Sequence, residues 1–261
     1  MRDGVRIGIV GGGRVTRILL GGWARAGRMQ AEVVVADPDA DARARLLRDH
    51  PSVRVTATAE DAAVADCVLL AVHPPVVPAA LDALRGRLRA DALVVYLGSK
   101  VTLARMRERL HGHGPLARVI PNAPSMVGAG HNPHAFAAEA VGVQRELLRG
   151  LFEPLGRWIE VDERLLEPYV LLTGMGPTYL WPQLQQLLDS ARGMGLDDAA
   201  ARAALEDMVV GAVRTLLHDG LPPEDTMDLV PVRPLDPDMP AILDAYRGRL
   251  AEVLARIRPE G

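Results

Sequence analysis

The chain has 261 residues, 49% of them hydrophobic and 24% charged, with a formal net charge of −3. That mix suits a globular protein long enough to bury a core, and it offers no global positive field for nucleic acid. The single cysteine, Cys67, excludes a disulfide scaffold and reads as core, and no apolar run approaches the roughly 18 residues of a membrane span. The N-terminal residues run directly into a strand-like segment without a leader pattern, so a reduced, cytoplasmic setting is expected.

In chain order, Val5 to Val10 reads as a buried strand bounded by glycines. Arg14 to Ala26 reads as a helix with Val15, Ile18, Leu19 and Trp23 on one face. Ala31 to Ala36 is a second strand, Ala40 to Leu47 a helix, and Val53 to Val55 a short third strand. Cys67 to Val72 is apolar throughout, as in a sheet covered on both faces. A helix over Val76 to Leu88, a strand over Ala92 to Tyr96, a helix over Leu103 to Leu110 and a strand over Arg118 to Ile120 follow. This alternation predicts an α/β fold with a doubly wound parallel sheet. After Trp158 to Val161 the strands stop. Glu163 to Leu172, Tyr179 to Met194, Asp198 to His218 and Ala241 to Ile257 read as helices, and the proline-punctuated stretch from Pro222 to Pro240 as a loop. Leu180 to Leu188 is apolar over much of its circumference, as a helix buried within or between subunits would be. A dinucleotide-binding domain over residues 1–160 and an all-helical domain over 161–261 are expected.

Aromatic residues make up only 3% of the chain, so the core must be aliphatic, and among 30 basic residues Lys100 is the one lysine. The strongest local motif is Gly8-Ile9-Val10-Gly11-Gly12-Gly13-Arg14-Val15-Thr16, between the first strand and the first helix. Gly11 suits a tight turn. Gly13 lets backbone approach a pyrophosphate held at the positive end of the helix. Thr16 replaces the usual third small residue, which should set helix and strand slightly further apart. Asp37 closes the second strand, where an acid accepts from an adenosine ribose and repels a 2′-phosphate; no arginine follows until Arg43. NAD(P)H, leaning to NADH, is therefore the expected cofactor, although an Asp-Pro pair equally suits a turn.

Ligands bind outside the carboxyl ends of parallel strands. That places Val72-His73-Pro74, Lys100 and Asn122 near the nicotinamide. Asn122, between two prolines, could present its amide to a ligand or form a turn, and Lys100 could anchor an anion, give a proton or be a surface lysine. His111 and His113 lie in one glycine-rich loop and His131 and His134 in another. Neither pair shows metal-ligand spacing, so no metal is expected.

These motifs, with Ala71-Val72-His73-Pro74-Pro75, Val119-Ile120-Pro121-Asn122-Ala123-Pro124 and Thr173-Gly174-Met175-Gly176-Pro177-Thr178-Tyr179, resemble the pyrroline-5-carboxylate reductases over residues 6 to about 230. Gly156, Val161-Asp162-Glu163 and Met194-Gly195-Leu196 fall in step with them. The resemblance implies a Rossmann-type domain and a helical dimerisation domain. It implies hydride transfer from a nicotinamide to a cyclic imine, giving a secondary amine such as proline, and a homodimer through C-terminal helices. The candidate catalytic residues are Asn122 near the nicotinamide, Thr173 as a hydroxyl donor and Lys100, and the candidate substrate contacts are Arg233, Thr173 and Tyr179.

Two departures bear on the substrate. The family helix start Ser-Gly-Ser-Gly-Pro is Thr173-Gly174-Met175-Gly176-Pro177 here. The family's carboxylate-cradling Ser-Pro-Gly-Gly-x-Thr loop is replaced by Val232-Arg233-Pro234-Leu235-Asp236-Pro237. Prolines remove amide donors there, and Arg233 could take over as a bidentate anchor or be held by Asp236. The competing reading is a non-catalytic dinucleotide-binding regulator or scaffold.

Overall fold

The apolar runs form β1 (Arg6–Val10), β2 (Glu32–Ala36), β3 (Arg54–Thr56), β4 (Cys67–Leu70), β5 (Leu93–Tyr96), β6 (Leu116–Val119), β7 (Gly130–Phe136) and β8 (Gly156–Glu160). Helices α1 (Arg14–Arg25), α2 (Ala40–Asp49), α3 (Glu60–Ala63), α4 (Val77–Leu84), α5 (Leu103–Arg109) and α6 (Gly142–Phe152) join them. Then come α7 (Leu166–Tyr169), α8 (Pro177–Gly193), α9 (Asp198–His218), α10 (Pro223–Asp228) and α11 (Met239–Ile257). The structure is a computed structural model and describes residues 4–30, 32–218 and 220–259. Ala31, expected to open the second strand, and residues 1–3 lie outside the described residues. Two compact units are present: one runs to Met175 and takes in the residues from Val253, and the other is Gly176–Glu252.

The first unit holds one eight-stranded sheet in the order β3-β2-β1-β4-β5-β6-β7-β8. All its pairs are parallel except β6 with β7. Strand residues alternate between two cores, which is why the strands are apolar without a polar face. Ile7, Ile9, Val33, Val35, Leu69 and Val95 join Leu19, Leu20 and Trp23 of α1 in one cluster. Val10, Val68, Leu70, Val94 and Tyr96 join Leu81, Leu84 and Met106 in the other. The buried Trp23 indole donates to Leu151 O at 2.7 Å, tying α1 to α6.

Three expectations need correction. His131 and His134 lie in β7, not in a loop. The strand carries a glycine, an asparagine, a proline and two histidines, so its composition hid it. The helix expected over Glu163 to Leu172 is divided into a 3₁₀ turn at Glu163–Leu165, α7, and a wide π-turn at Val170–Gly174, where the Met175 amide donates to Val170 O at 2.7 Å. The stretch from Pro222 to Pro240 is not wholly loop. Pro223 opens α10 with Glu224 and Asp225 in its first turn, and Met239-Pro240 opens α11, so these prolines stand where a helix start tolerates them. In the second unit α8 buries none of its residues, and Leu180 and Trp181 are about half exposed.

His134 is 2% exposed and stacks on Trp158 at 3.3 Å between ring centroids, with Phe136 edge-on at 5.3 Å. Burial disfavours the imidazolium and lowers the pKa from 6.5 to about 4, against smaller opposing effects of the Asn132 backbone and Glu160. The unfolded chain therefore takes this proton first. The stability associated with neutral His134 is complete above pH 6.5 and is lost as pH falls through about 4. Denaturant unfolding of His134→Gln is expected to show a shallower loss of stability between pH 7 and pH 4 than the parent chain.

Candidate active site

The first unit's glycine turn separates glycines needed for packing from one that leaves room. Gly11 has φ +103°, and a Cβ there would meet Ala71 O at 2.5 Å and the Val72 side chain at 2.9 Å. Its amide donates to Ala36 O at 2.8 Å. Gly8 is packed too, since a Cβ would lie 2.0 Å from Ala62 O. Gly13, the N-cap of α1, has nothing within 4 Å of a Cβ, and no side chain caps the helix. Arg14 and Val15 form the first turn behind it. An open, uncapped helix start behind a tight glycine turn is a seat for an anion. Thr16 is fully buried, and its hydroxyl donates to the Gly11 carbonyl, which keeps the turn closed.

Asp37 braces this turn. Its carboxylate accepts from the Gly12 amide at 2.6 Å and the Asp39 amide at 2.8 Å, while Asp39 caps α2. Arg43 folds back from α2 and donates to the carbonyls of Asp37 and Pro38 at 2.7 and 2.9 Å. A carboxylate and a guanidinium thus stand together at the end of β2. Val72 lies against Gly11, His73 is exposed, and Pro74 starts the turn into α4.

A second set of side chains meets beyond β5 and β6. The Asn122 amide donates to Thr173 O at 3.0 Å and accepts from the His131 amide at 3.1 Å and Ser125 Oγ at 3.3 Å. Asn122 therefore ties β6 to β7 and to the π-turn, with one N–H left over. The Thr173 hydroxyl donates to Tyr169 O at 2.9 Å, leaving its lone pairs for a donor. His131 stacks on Tyr169 at 5.5 Å, and burial, with Arg157 adding, holds its pKa below the usual value. Its buried Nε2 has no hydrogen-bond partner among the described residues.

Beneath these groups lies a cluster missed in the sequence. Arg118 is fully buried and pairs with Glu163 at 3.0 Å and Glu167 at 2.6 Å, and donates to Gly98 O at 3.2 Å. Glu167 also accepts from the Lys100 amide at 3.3 Å, and Glu163 from the Leu103 amide at 2.7 Å. Lys100 itself is left-handed at φ 76°. The signal was an arginine inside an otherwise apolar strand, with two glutamates at i, i+4 spacing further on.

Tyr179 and Arg233 belong to the other unit. Tyr179 meets Tyr246 edge to face at 5.9 Å, and burial raises its phenol pKa. Arg233 donates to Met227 O at 3.0 Å and pairs with Asp228 at 3.1 Å, not with Asp236.

Residues 6–98 match the family described as NADP oxidoreductase, coenzyme F420-dependent. The chain is 32% identical over 219 residues to a pyrroline-5-carboxylate reductase of Mycobacterium tuberculosis, covering 82% of this chain and 74% of that protein. This chain belongs to the pyrroline-5-carboxylate reductase family. The Mycobacterium leprae reductase is 31% identical over the same shares. A Coxiella burnetii pyrroline-5-carboxylate reductase structure superposes at TM-score 0.69 with 25% identity, covering 97% of this chain and 94% of that one. A Plasmodium falciparum pyrroline carboxylate reductase with NADP bound shares the fold at TM-score 0.75 and 17% identity, over 98% and 95% of the two chains.

For this reductase-family chain the Arg118 cluster makes a direct expectation. Arg118→Met leaves Glu167 buried without its partner and should cost about 3–5 kcal/mol in denaturant unfolding. Adding Glu167→Leu should recover part of that loss.

Proposed function

We propose that the chain is an NAD(P)H-dependent reductase of a cyclic imine, acting on pyrroline-5-carboxylate or a close relative to give a secondary amine of the proline type. The open helix start at Gly13 carries this reading: it fits a dinucleotide diphosphate and has no packing role. When bound, the coenzyme supplies a hydride from its nicotinamide C4.

The protein's own work is to grip, orient and exclude. Gly11, Gly12 and Gly13 present backbone to the diphosphate, with Arg14 and Val15 behind them. Val72, His73 and Pro74 line the mouth at the end of β4. Asp37 favours a free ribose hydroxyl, whereas Arg43 beside it offers charge to a 2′-phosphate. The lean to NADH thus rests on Asp37 alone, and NADPH remains compatible. Asn122 fixes the π-turn, so that the Thr173 oxygen can accept from the substrate N–H once the imine nitrogen has taken a proton from solvent to become an iminium. In this reading Lys100 adds positive charge at the rim of the site.

Arg233 is the carboxylate anchor in place of the family's serine and glycine loop. Its pairing with Asp228 is exposed, and such pairs contribute only about 0–1 kcal/mol, so a substrate carboxylate can displace Asp228. Tyr179 packs the start of α8 in the substrate-binding unit. We further propose a homodimer through the C-terminal helices, since Leu180, Trp181, Val213 and Leu217 carry large exposed apolar surface.

Gly13→Val is expected to leave the unfolding midpoint unchanged and abolish NADH and NADPH binding by calorimetry, whereas Gly8→Ala should cost about 1–3 kcal/mol of stability. Coenzyme oxidation with a panel of cyclic imines tests the activity; no turnover with any of them would reject it. Arg233→Gln should raise KM for pyrroline-5-carboxylate on the order of 10- to 100-fold, and leave KM for carboxylate-free pyrroline nearly unchanged.

A further inference from the structure

A groove of about 1000 Å³ runs along the outer faces of α4 and α5 in the first unit. Six cations line it: Arg85, Lys100, Arg105, Arg109, Arg256 and Arg258. Among the described residues only two carboxylates do so. Asp82 pairs with Arg85 at 3.8 Å and Arg109 at 3.1 Å, and Glu108 with Arg105 at 3.3 Å. Among the described residues Lys100, Arg256 and Arg258 have no acidic partner, and all three are exposed. A chain with net charge −3 thus gathers surplus positive charge in one groove. Like charges brought together repel unless an anion lies between them.

Backbone strain points to the same place. Among the described residues only Lys100 (φ 76°) and His111 (φ 51°) are left-handed without being glycine, and both line this groove. Such outliers persist only where the surroundings enforce them. At Lys100 the enforcing contact is the bond from its amide to Glu167, held by buried Arg118. At His111 the chain closes α5, and the ring nitrogen accepts from Arg85 at 3.3 Å. The two residues flank α5, whose seven residues rise about 10 Å. That length exceeds the span of one phosphate and suits a chain of them. Pro74, Pro75 and Pro78 add a rigid apolar wall without amide protons.

We propose that this groove binds a small anion carrying two or more phosphate groups, separately from the glycine turn. The inference does not rest on the reductase reading, although Lys100 and Pro74 line both this groove and the mouth proposed above. Lys100 and His111 hold the two ends, and Arg256 and Arg258 close over the middle from the end of α11.

Calorimetric titration of the full chain with sodium tripolyphosphate at low ionic strength, with and without saturating NADPH, tests this. Saturable one-site binding that persists with NADPH and weakens at high salt is the expected result. The double variant R256Q/R258Q should weaken it roughly tenfold or more with an unchanged melting temperature, and R105Q gives an independent second variant. Loss of binding when NADPH is added would put the anion on the glycine turn and overturn the proposal. Equal binding by both variants, no binding at all, or preference for an acidic peptide or DNA over tripolyphosphate would also overturn it. Should NADPH itself fail to bind, the reductase reading fails, and the tripolyphosphate titration still decides this one.

Discussion

A guanidinium removed from water must be compensated where it lands, and Arg118 is removed from water completely. Its partners come from far along the chain. Glu163 and Glu167 descend from the segment after β8, and Gly98 O comes from the end of β5. Meeting that one electrostatic demand fixes three things together: the loop carrying Lys100, the start of α5, and the segment leading to Thr173. Asn122 completes the bracket by joining the π-turn to β6 and β7. The groups proposed for chemistry are thus small and few, and a much larger buried polar frame positions them. Within the Arg118 ion cluster, Nε of the guanidinium has no hydrogen-bond partner among the described residues.

Much of the sheet was legible because parallel strands covered on both faces must be apolar along their buried length, and β1 and β2 beyond Arg6 and Glu32, with β4 and β5, are. β7 was not, because its order comes from neighbours rather than from its own residues. It is antiparallel to β6 and parallel to β8, and its histidines are accommodated by stacking on Trp158 and Tyr169. Helical periodicity gave the span of α9 to the residue, but a 3.6-residue period does not register a π-turn. Prolines were read as breaks between Pro222 and Pro240; their meaning depends on whether they fall at a first turn or later.

The site was legible in proportion to how local it is. The glycine turn is contiguous, and its geometry follows from spacing alone. Asp37 stands 25 residues from the Gly12 amide that it accepts, yet a fixed strand-helix-strand unit makes that distance predictable. The return of Arg43 onto the Asp37 and Pro38 carbonyls is a side-chain choice that no pattern announces. The partner of Arg233 stayed open for the same reason: Asp236 lies nearer along the chain, but the turn after α10 brings Asp228 to it.

The scarcity of lysine gives the Lys100 loop an unusual chemical status. Every other basic side chain is an arginine, so this exposed residue carries the only side-chain amine in the sequence. Acylating reagents, amine cross-linkers or a fluorophore ester directed at side chains would therefore all converge on a single backbone position. The coordinates of that position are locked by a buried ion triad, which makes it a fixed reporting point beside the ends of β4 and β5.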